Sequence, residues 1–280
     1  MVEVTPPPSI LLAVGQAPSV PGDVAVNAEK AAELVIGAGR AGARLLVLPE
    51  LFLCGYDLAG LAAQPDRYAV DLSGPLLAAL GQACRQAGTA LLVGAAVRRN
   101  GGLSNAAVVF DGAGMRIATY HKAHLWEGER DVFVPGGGLL RLEIGGIVLG
   151  VGICYDEGFP EFVRAYATAD PPVDVMVFAS AFCHGDQESR YDIYHPARAV
   201  ENGVYVAVAN AVGEIDGLDF FGRSAVYDPR GSLLAEVAPE QGIAVVAIES
   251  ARVHTVRRDL TYLRDRRTDL KHQRVERLSP

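Results

Sequence analysis

The sequence predicts an α/β protein with layered, mixed β-sheets. Three observations carry this expectation. Short apolar and β-branched runs recur along most of the chain, Ala-rich amphipathic stretches lie between them, and two pairs of runs are joined by hairpin-type turn signals. Strand-helix alternation calls for parallel neighbours and hairpins for antiparallel ones, so both kinds of pairing must occur.

In chain order, "ILLAVGQ" (10–16) is a strand, since runs of this length suit strands better than helices. A helix over 27–40 and a strand "RLLVLPE" (44–50) follow. The helix at 74–87 is announced by "SGP", with Ser73 as N-cap and Pro75 in the first turn, where a missing N–H costs nothing. "ALLVGAAV" (90–97) and "NAAVVFD" (105–111) form a hairpin around Asn100-Gly101. "GIVLGVGIC" (146–154), a helix near 160–169, "VDVMVFAS" (173–180), a helix over 187–202 and "VYVAVANAV" (204–212) restore the alternation. "SAVYD" (224–228) opens a second hairpin around Asp228-Pro229-Arg230-Gly231, and "IAVVAIE" (243–249) is the last strand. No low-complexity linker or internal repeat divides the chain, so residues 1–280 are expected to form one domain.

Composition narrows the function. The 280 residues are half apolar and carry a net charge of −8, which provides no global attraction for nucleic acid or an anionic membrane. No run approaches the ~18 apolar residues of a membrane span, and the N-terminus lacks a basic region ahead of its apolar run. Cys54, Cys84, Cys154 and Cys183 are widely spaced with no CxxC pair, pointing to a reducing cytoplasm rather than a disulfide framework or zinc knuckle. From about Thr255 the composition turns basic. This stretch has eight Lys/Arg and four Asp/Glu, so it carries +4 and the remainder −12, and it reads as a charged arm, solvated or laid over a neighbouring subunit.

Three polar residues close strand-like runs, where an α/β fold presents its functional groups: Glu50 after "LLVLP", Lys122 after "IATYH" and Cys154 after "VLGVGI". Singly, each has a plain structural explanation as a cap, a surface lysine or a small core hydrophobe. Together they supply a base, a cation for a developing oxyanion and a nucleophile, the requirements for cleaving a C–N bond. Burial raises the pKa of a carboxylate and a nearby ammonium lowers that of a thiol, which brings base and nucleophile closer. His121 and His124, even with Cys183-His184, show no ligand spacing that indicates a metal. A Cys-His pair with His121 as base would leave the glutamate and lysine unexplained.

The chain resembles the nitrilase superfamily of carbon-nitrogen hydrolases, amidase-like branch. "LLVLPELFLCGY" looks like its glutamate block, "YHKAHLWEGERDVFVPGG" its lysine block and "GVGICYDEGFPE" its cysteine block. "HPARAVENGVYVAVANAVG", "FGRSAVYDPRGSLLAE" and "DRRTDL" extend the likeness over nearly the whole chain. The resemblance implies a four-layer α-β-β-α sandwich, paired as a homodimer or higher oligomer. It implies Cys154 as nucleophile, Glu50 as general base and Lys122 as oxyanion stabiliser, supported by Glu129 and the Tyr155 backbone N–H, with no cofactor and no metal. Phe182, Cys183 and His184, in the loop after the 173–180 strand, are candidate substrate contacts.

The expected function is therefore hydrolysis of a small linear amide by water through a Cys154 thioester. "CYDEGFPE" lacks the Trp-Glu that follows the cysteine in true nitrilases, which favours an amide over a nitrile. Neither Glu157 nor Gly158 is basic, whereas many amidase-branch relatives have a basic residue there, so a substrate carboxylate would need another partner such as Arg190. Two alternatives stand beside this reading: an N-carbamoyl amine or amino-acid amidohydrolase using the same residues, and a non-catalytic binding or scaffold protein with the same fold.

Overall fold

The computed structural model describes residues 6–99 and 101–269. Its strands are β1 (Ser9–Gln16), β2 (Leu45–Val47), β3 (Ala90–Arg99), β4 (Gly102–Phe110), β5 (Arg116–His121), β6 (Leu140–Ile144), β7 (Ile147–Ile153), β8 (Val175–Ser180), β9 (Tyr205–Asn210), β10 (Val212–Ile215), β11 (Leu218–Phe221), β12 (Ala225–Tyr227), β13 (Leu233–Glu236) and β14 (Gly242–Glu249). The helices are α1 (Val24–Arg40), α2 (Leu58–Ala63), α3 (Pro65–Tyr68), α4 (Pro75–Ala87), α5 (Pro160–Ala167), α6 (Asp186–Asn202), α7 (Ser250–Asp259) and α8 (Tyr262–Asp265). Two six-stranded sheets result, ordered β14-β1-β2-β3-β4-β5 and β13-β12-β9-β8-β7-β6, with β10-β11 as a separate hairpin.

Side-chain alternation assigns the layers. Leu12, Val14, Leu45, Val47, Leu92, Ala107 and Val109 of the first sheet share a core with Val151, Ile153, Val177 and Val208 of the second. The alternate residues Ala13, Leu46, Leu48, Leu91, Val93, Ala106 and Val108 pack instead on Leu34 and Val35 of α1 and Leu77 and Leu80 of α4. Because successive side chains point to opposite faces, one strand feeds both interfaces. Phe162 and Tyr166 of α5 and Tyr191 and Ala199 of α6 close the far face of the second sheet. The architecture is the expected α-β-β-α sandwich.

Each sheet repeats one pairing scheme. In the first, β1, β2 and β3 are parallel, β4 and β5 follow antiparallel, and β14 flanks β1 antiparallel. In the second, β7, β8 and β9 are parallel, β12 and β13 follow antiparallel, and β6 flanks β7 antiparallel. The sequence shows no repeat because it is the pairing that recurs, not the residues.

Several details differ from expectation. Helix α1 begins three residues earlier, where Asp23 caps it by accepting the Val26 N–H at 3.1 Å. Ser73 does not cap α4: its hydroxyl donates to Asp71 at 2.7 Å, and Gly74 takes the cap position. Of the first predicted turn, Asn100 lies outside the described residues, while Gly101 has the positive φ of 97° that glycine tolerates. The second turn forms at Asp228, whose Oδ1 accepts the N–H groups of Arg230 and Ser232 at 2.9 Å each.

The C-terminal arm expected from about Thr255 starts as packed structure. Helix α7 buries Val253 and Val256 completely, and Arg257 donates to the Val173 carbonyl at 2.8 Å. Charge on one face of α7 hid this apolar pair three residues apart, which is a helix period. Exposed charge begins at Arg258, and residues 270–280 lie outside the described residues.

Val256→Ala is expected to destabilise the protein by ~2 kcal/mol through the cavity it leaves, whereas Arg258→Ala, at an exposed position, should stay within ~0.5 kcal/mol. Urea unfolding of the two variants measures the difference.

Candidate active site

Glu50, Lys122 and Cys154 each follow a strand, on β2, β5 and β7 respectively. The first is held by backbone approach. The Gly94 N–H donates to the Pro49 carbonyl at 3.1 Å, and the Leu53 N–H donates to the Gly94 carbonyl at 3.0 Å, laying the chain around Glu50 across β3. A Cβ on Gly94 would collide with the Pro49 carbonyl and the Leu51 nitrogen, so a residue without one is required. The Glu50 N–H also reaches the Ser180 carbonyl at 3.4 Å, joining the ends of the two sheets.

Lys122 is fully buried between two carboxylates. Its Nζ lies 2.6 Å from Glu50 Oε1 and 2.8 Å from Glu129 Oε1. Asn105 on β4 donates its Nδ2 to the same two oxygens, at 2.7 and 3.1 Å. Glu129 also accepts the Tyr56 hydroxyl at 3.0 Å and, through Oε2, the Trp126 N–H at 2.8 Å. Burial favours the neutral form of Glu129, but Lys122 and these donors outweigh it and hold the carboxyl below its usual range. Burial likewise opposes the Lys122 charge, yet Glu129 and Glu50 push its pKa up, so it remains an ammonium.

Glu50 is placed differently. Burial, aided by repulsion from Glu129, carries its pKa to about 8 against the attraction of Lys122. Its Oε1 takes the Lys122 and Asn105 hydrogen bonds, while Oε2 is buried with no partner among the described residues. Two carboxylates around one ammonium would bury a net negative charge, and a proton on Glu50 removes it.

Cys154 sits at a sharp turn with φ of 42°, the left-handed region that non-glycine residues seldom adopt. The chain passes from β7 directly into a 3-10 turn over Cys154–Gly158. The acids that follow are anchored elsewhere. Asp156 accepts from the Tyr120 hydroxyl at 2.8 Å and the Ile153 and His124 N–H groups at 3.0 and 2.9 Å. Glu157 meets the Ser180 hydroxyl at 3.1 Å and His195 Nε2 at 2.7 Å. Burial raises the Cys154 pKa well above that of a free thiol, and Glu50 and Glu157 add to it. Lys122 and a backbone hydrogen bond at Ala181 pull it down, but are outweighed. The expected depression of the thiol by the ammonium is therefore present without deciding the outcome.

The thiol opens into a cavity of about 180 Å³ lined by aromatic residues including Tyr56, Trp126, Tyr155, Phe182 and Tyr194. Strand β8 does lie beside β7, with Ala179 opposite Ile153, which delivers the following loop to this cavity. Phe182 and Cys183 line it, and burial pushes the Cys183 thiol up to about 11. His184 is not among the lining residues: it turns outward, where its Nδ1 lies 3.0 Å from Glu188 Oε1. Sequence reasoning missed Asn105 and Tyr56. A polar residue opening the apolar run "NAAVVFD" was a usable signal for Asn105, whereas Tyr56 gave none. Among the described residues, no group of three or more His, Cys, Asp or Glu side chains is arranged to hold a metal, and no helix is long and apolar enough to cross a membrane.

An α-β-β-α sandwich with a cavity over a thiol at a strand end is the architecture of the nitrilase-type hydrolases. The chain belongs to the carbon-nitrogen hydrolase family, whose model matches residues 11–258. It is 33% identical over 259 residues to an (R)-stereoselective amidase of a Pseudomonas species, covering 91% of this chain and 90% of that protein. A 2-oxoglutaramate amidase of Bacillus subtilis is 33% identical over 244 residues, 86% of this chain and 92% of that one. A solved mutant of the amidase from Nesterenkonia sp. AN1 superimposes with a TM-score of 0.82 at 31% identity, covering 97% of this chain and 99% of that one. In that structure the acetamide moiety of fluoroacetamide is covalently attached at the active-site cysteine. The protein is accordingly an enzyme, a carbon-nitrogen hydrolase with amidase relatives, and the scaffold alternative falls away.

Gly94→Ala would displace the backbone carrying Glu50. A loss of ~1–3 kcal/mol in stability is expected from overpacking, together with about a 100-fold fall in kcat from misplacement of the buried carboxylate. Chemical denaturation and steady-state kinetics on a simple amide measure the two effects.

Proposed function

We propose that this enzyme hydrolyses small linear amides with Cys154 as nucleophile, Glu50 as general base and Lys122 as oxyanion stabiliser. The observation that carries the reading is the division of labour within the Glu50 carboxylate: Oε1 is occupied by Lys122 and Asn105, and buried Oε2 is left to accept a proton. A carboxyl lifted to about 8 is also a far better match for a thiol than an ordinary glutamate, since proton transfer is most efficient when the catalytic pKa lies near working pH.

In the proposed cycle, the Cys154 sulfur bonds to the amide carbon as its proton passes to Glu50. Lys122 has three N–H donors and gives two to Glu50 and Glu129, leaving one for the developing oxyanion beside the Tyr155 backbone N–H. The tetrahedral adduct collapses, the C–N bond breaks, and the departing nitrogen takes the proton from Glu50 as ammonia or an amine leaves. Water then adds to the thioester while Glu50 accepts its proton. Breaking the C–S bond releases the acid and returns the proton to the thiol. Glu129 positions Lys122 and keeps it charged.

Glu157, where many relatives place a basic residue, is engaged with Ser180 and His195 and supplies no cation for a substrate carboxylate. The four free cysteines support a cytoplasmic location. The family resemblance implies a homodimer, and Ile193, 61% exposed on α6, is an apolar residue available to such a contact.

Mass spectrometry during turnover tests the nucleophile. The native protein should gain the acyl mass of the amide on Cys154, and Cys154→Ala should show neither the adduct nor hydrolysis. Unchanged turnover in Cys154→Ala would refute the mechanism. The base is tested by pH: since only ionised Glu50 accepts a proton, kcat/KM on a neutral amide should rise with pH through a midpoint near 8. A midpoint at the ordinary glutamate value of 4.5 would exclude the raised base.

A further inference from the structure

The cavity over Cys154 contains one cation that the catalytic reading does not use. Arg190 is the single charged side chain among its described lining residues, and the rest are apolar, aromatic or neutral. It reaches the cavity because Gln187, Arg190 and Tyr194 are three and four residues apart on α6, so all three fall on one face of that helix.

No protein group neutralises it. Among the described residues, Arg190 forms no ion pair and donates no side-chain hydrogen bond. Of the acids near it on its own helix, Glu188 is engaged with His184 and the Gly185 N–H and Asp192 with Arg223, while Asp186, one turn earlier, forms no ion pair with it. What holds Arg190 is an aromatic face, with its guanidinium carbon 5.3 Å from the Trp126 ring centroid. A guanidinium over an aromatic ring with no protein acceptor keeps its N–H groups available, and its fork matches a carboxylate. An arginine in an apolar cavity with five donors unassigned to protein acceptors is a binding site with the charge complement missing.

We infer that Arg190 is a specificity-determining residue that binds a carboxylate at the far end of the substrate, so that the preferred substrates are short dicarboxylic acid monoamides. The amide end lies at Cys154 and the acid end at Arg190, with the aromatic walls around the methylene chain. This inference rests on the amidase reading. It also accounts for the cavity's polarity: a neutral aliphatic amide would leave the cation unpaired as it displaced water, whereas a monoamide carboxylate supplies the partner.

The test compares glutaramate with valeramide on the native enzyme, Arg190→Gln and Arg190→Lys. The native enzyme should favour glutaramate. In Arg190→Gln the glutaramate-to-valeramide ratio of kcat/KM should fall about 10- to 100-fold, chiefly through KM for glutaramate, as expected for loss of a charged hydrogen-bond pair. Arg190→Lys should recover part of it, since the charge returns without the fork. A native ratio of one or less, or an unchanged ratio in Arg190→Gln, would overturn the inference while leaving the amidase reading intact. Calorimetric binding of glutaramate to Cys154→Ala supplies a readout independent of turnover. Binding that disappears on adding Arg190→Gln supports the carboxylate site even if neither compound were hydrolysed, and in that case the amidase reading alone would fail.

Discussion

The site depends on one buried ammonium held between two carboxylates. Lys122 is fully buried with Glu50 at 2.6 Å and Glu129 at 2.8 Å, so neither charge on the pair is solvated and each must be met by protein. A buried ion pair of this kind is weak support for stability, because the desolvation of its members is large and an apolar replacement is often tolerated. Its value lies in placement. The carboxylate that collects four donors, Glu129, takes the full charge, and the one with a bare oxygen, Glu50, is left with the raised pKa. Two chemically identical side chains thereby acquire different protonation behaviour: burial raises Glu50 against the attraction of Lys122, while Lys122 and a fuller set of donors overcome burial at Glu129.

This arrangement needs both sheets and tight backbone packing. Glu50 and Lys122 leave the first sheet, Cys154 leaves the second, and the Glu50 N–H to Ser180 carbonyl bond ties their ends. Positive φ occurs at Leu51, just after the proposed base, and at Cys154 itself. Such strain of about 1–3 kcal/mol per residue persists only where the surroundings fix it, here through the close contact of the Glu50 chain with Gly94 and through the anchored carboxylates after Cys154. The repeated pairing scheme helps make the geometry available: each sheet has three parallel strands in its interior, and the residues following β2 and the end of β8 are joined by the Glu50 N–H to Ser180 carbonyl bond.

The strands of the core were legible because both faces are buried and the runs are nearly all apolar, as in β8 and β9. Strand β6 was not, since "LRLEI" alternates exposed residues with half-buried ones at a sheet edge and resembles a loop in composition. The hairpin β10-β11 is short and rich in glycine and acids and escaped for the same reason. Glu50, Lys122 and Cys154 could be found because a polar residue ending an apolar run is a local signal. Their surroundings were harder to read: Asn105, which bonds Glu50, left the faint signal of a polar residue opening an apolar run, while Tyr56, which bonds Glu129, and Ser180, which bonds the Glu50 N–H, come in only through tertiary packing. His184 was assigned to the cavity by its place in the loop, but it lies just before Gly185, the N-cap of α6, and its ring turns outward to Glu188.

The acids beside Cys154 pose a physical problem that the structure resolves in two ways. Asp156 is consumed by Tyr120, His124 and the Ile153 N–H, and it fastens the turn that exposes the thiol. Glu157 is tied to Ser180 and His195, which binds the Cys154 turn to β8 and α6, yet it still contributes to the rise in the Cys154 pKa. A pre-formed thiolate is therefore not what this site stores. Its resting form is a protonated thiol beneath a small, mainly aromatic cavity, and the proposed attack requires that the proton leave as the sulfur bonds to carbon. In the proposed mechanism that requirement gives the raised pKa of Glu50 a use: an ordinary carboxylate would lie too far below the thiol to accept the proton, whereas one lifted to about 8 narrows the gap and can return the proton to a leaving amine. The same burial that suppresses the Cys154 thiolate thus strengthens Glu50 as its proposed base.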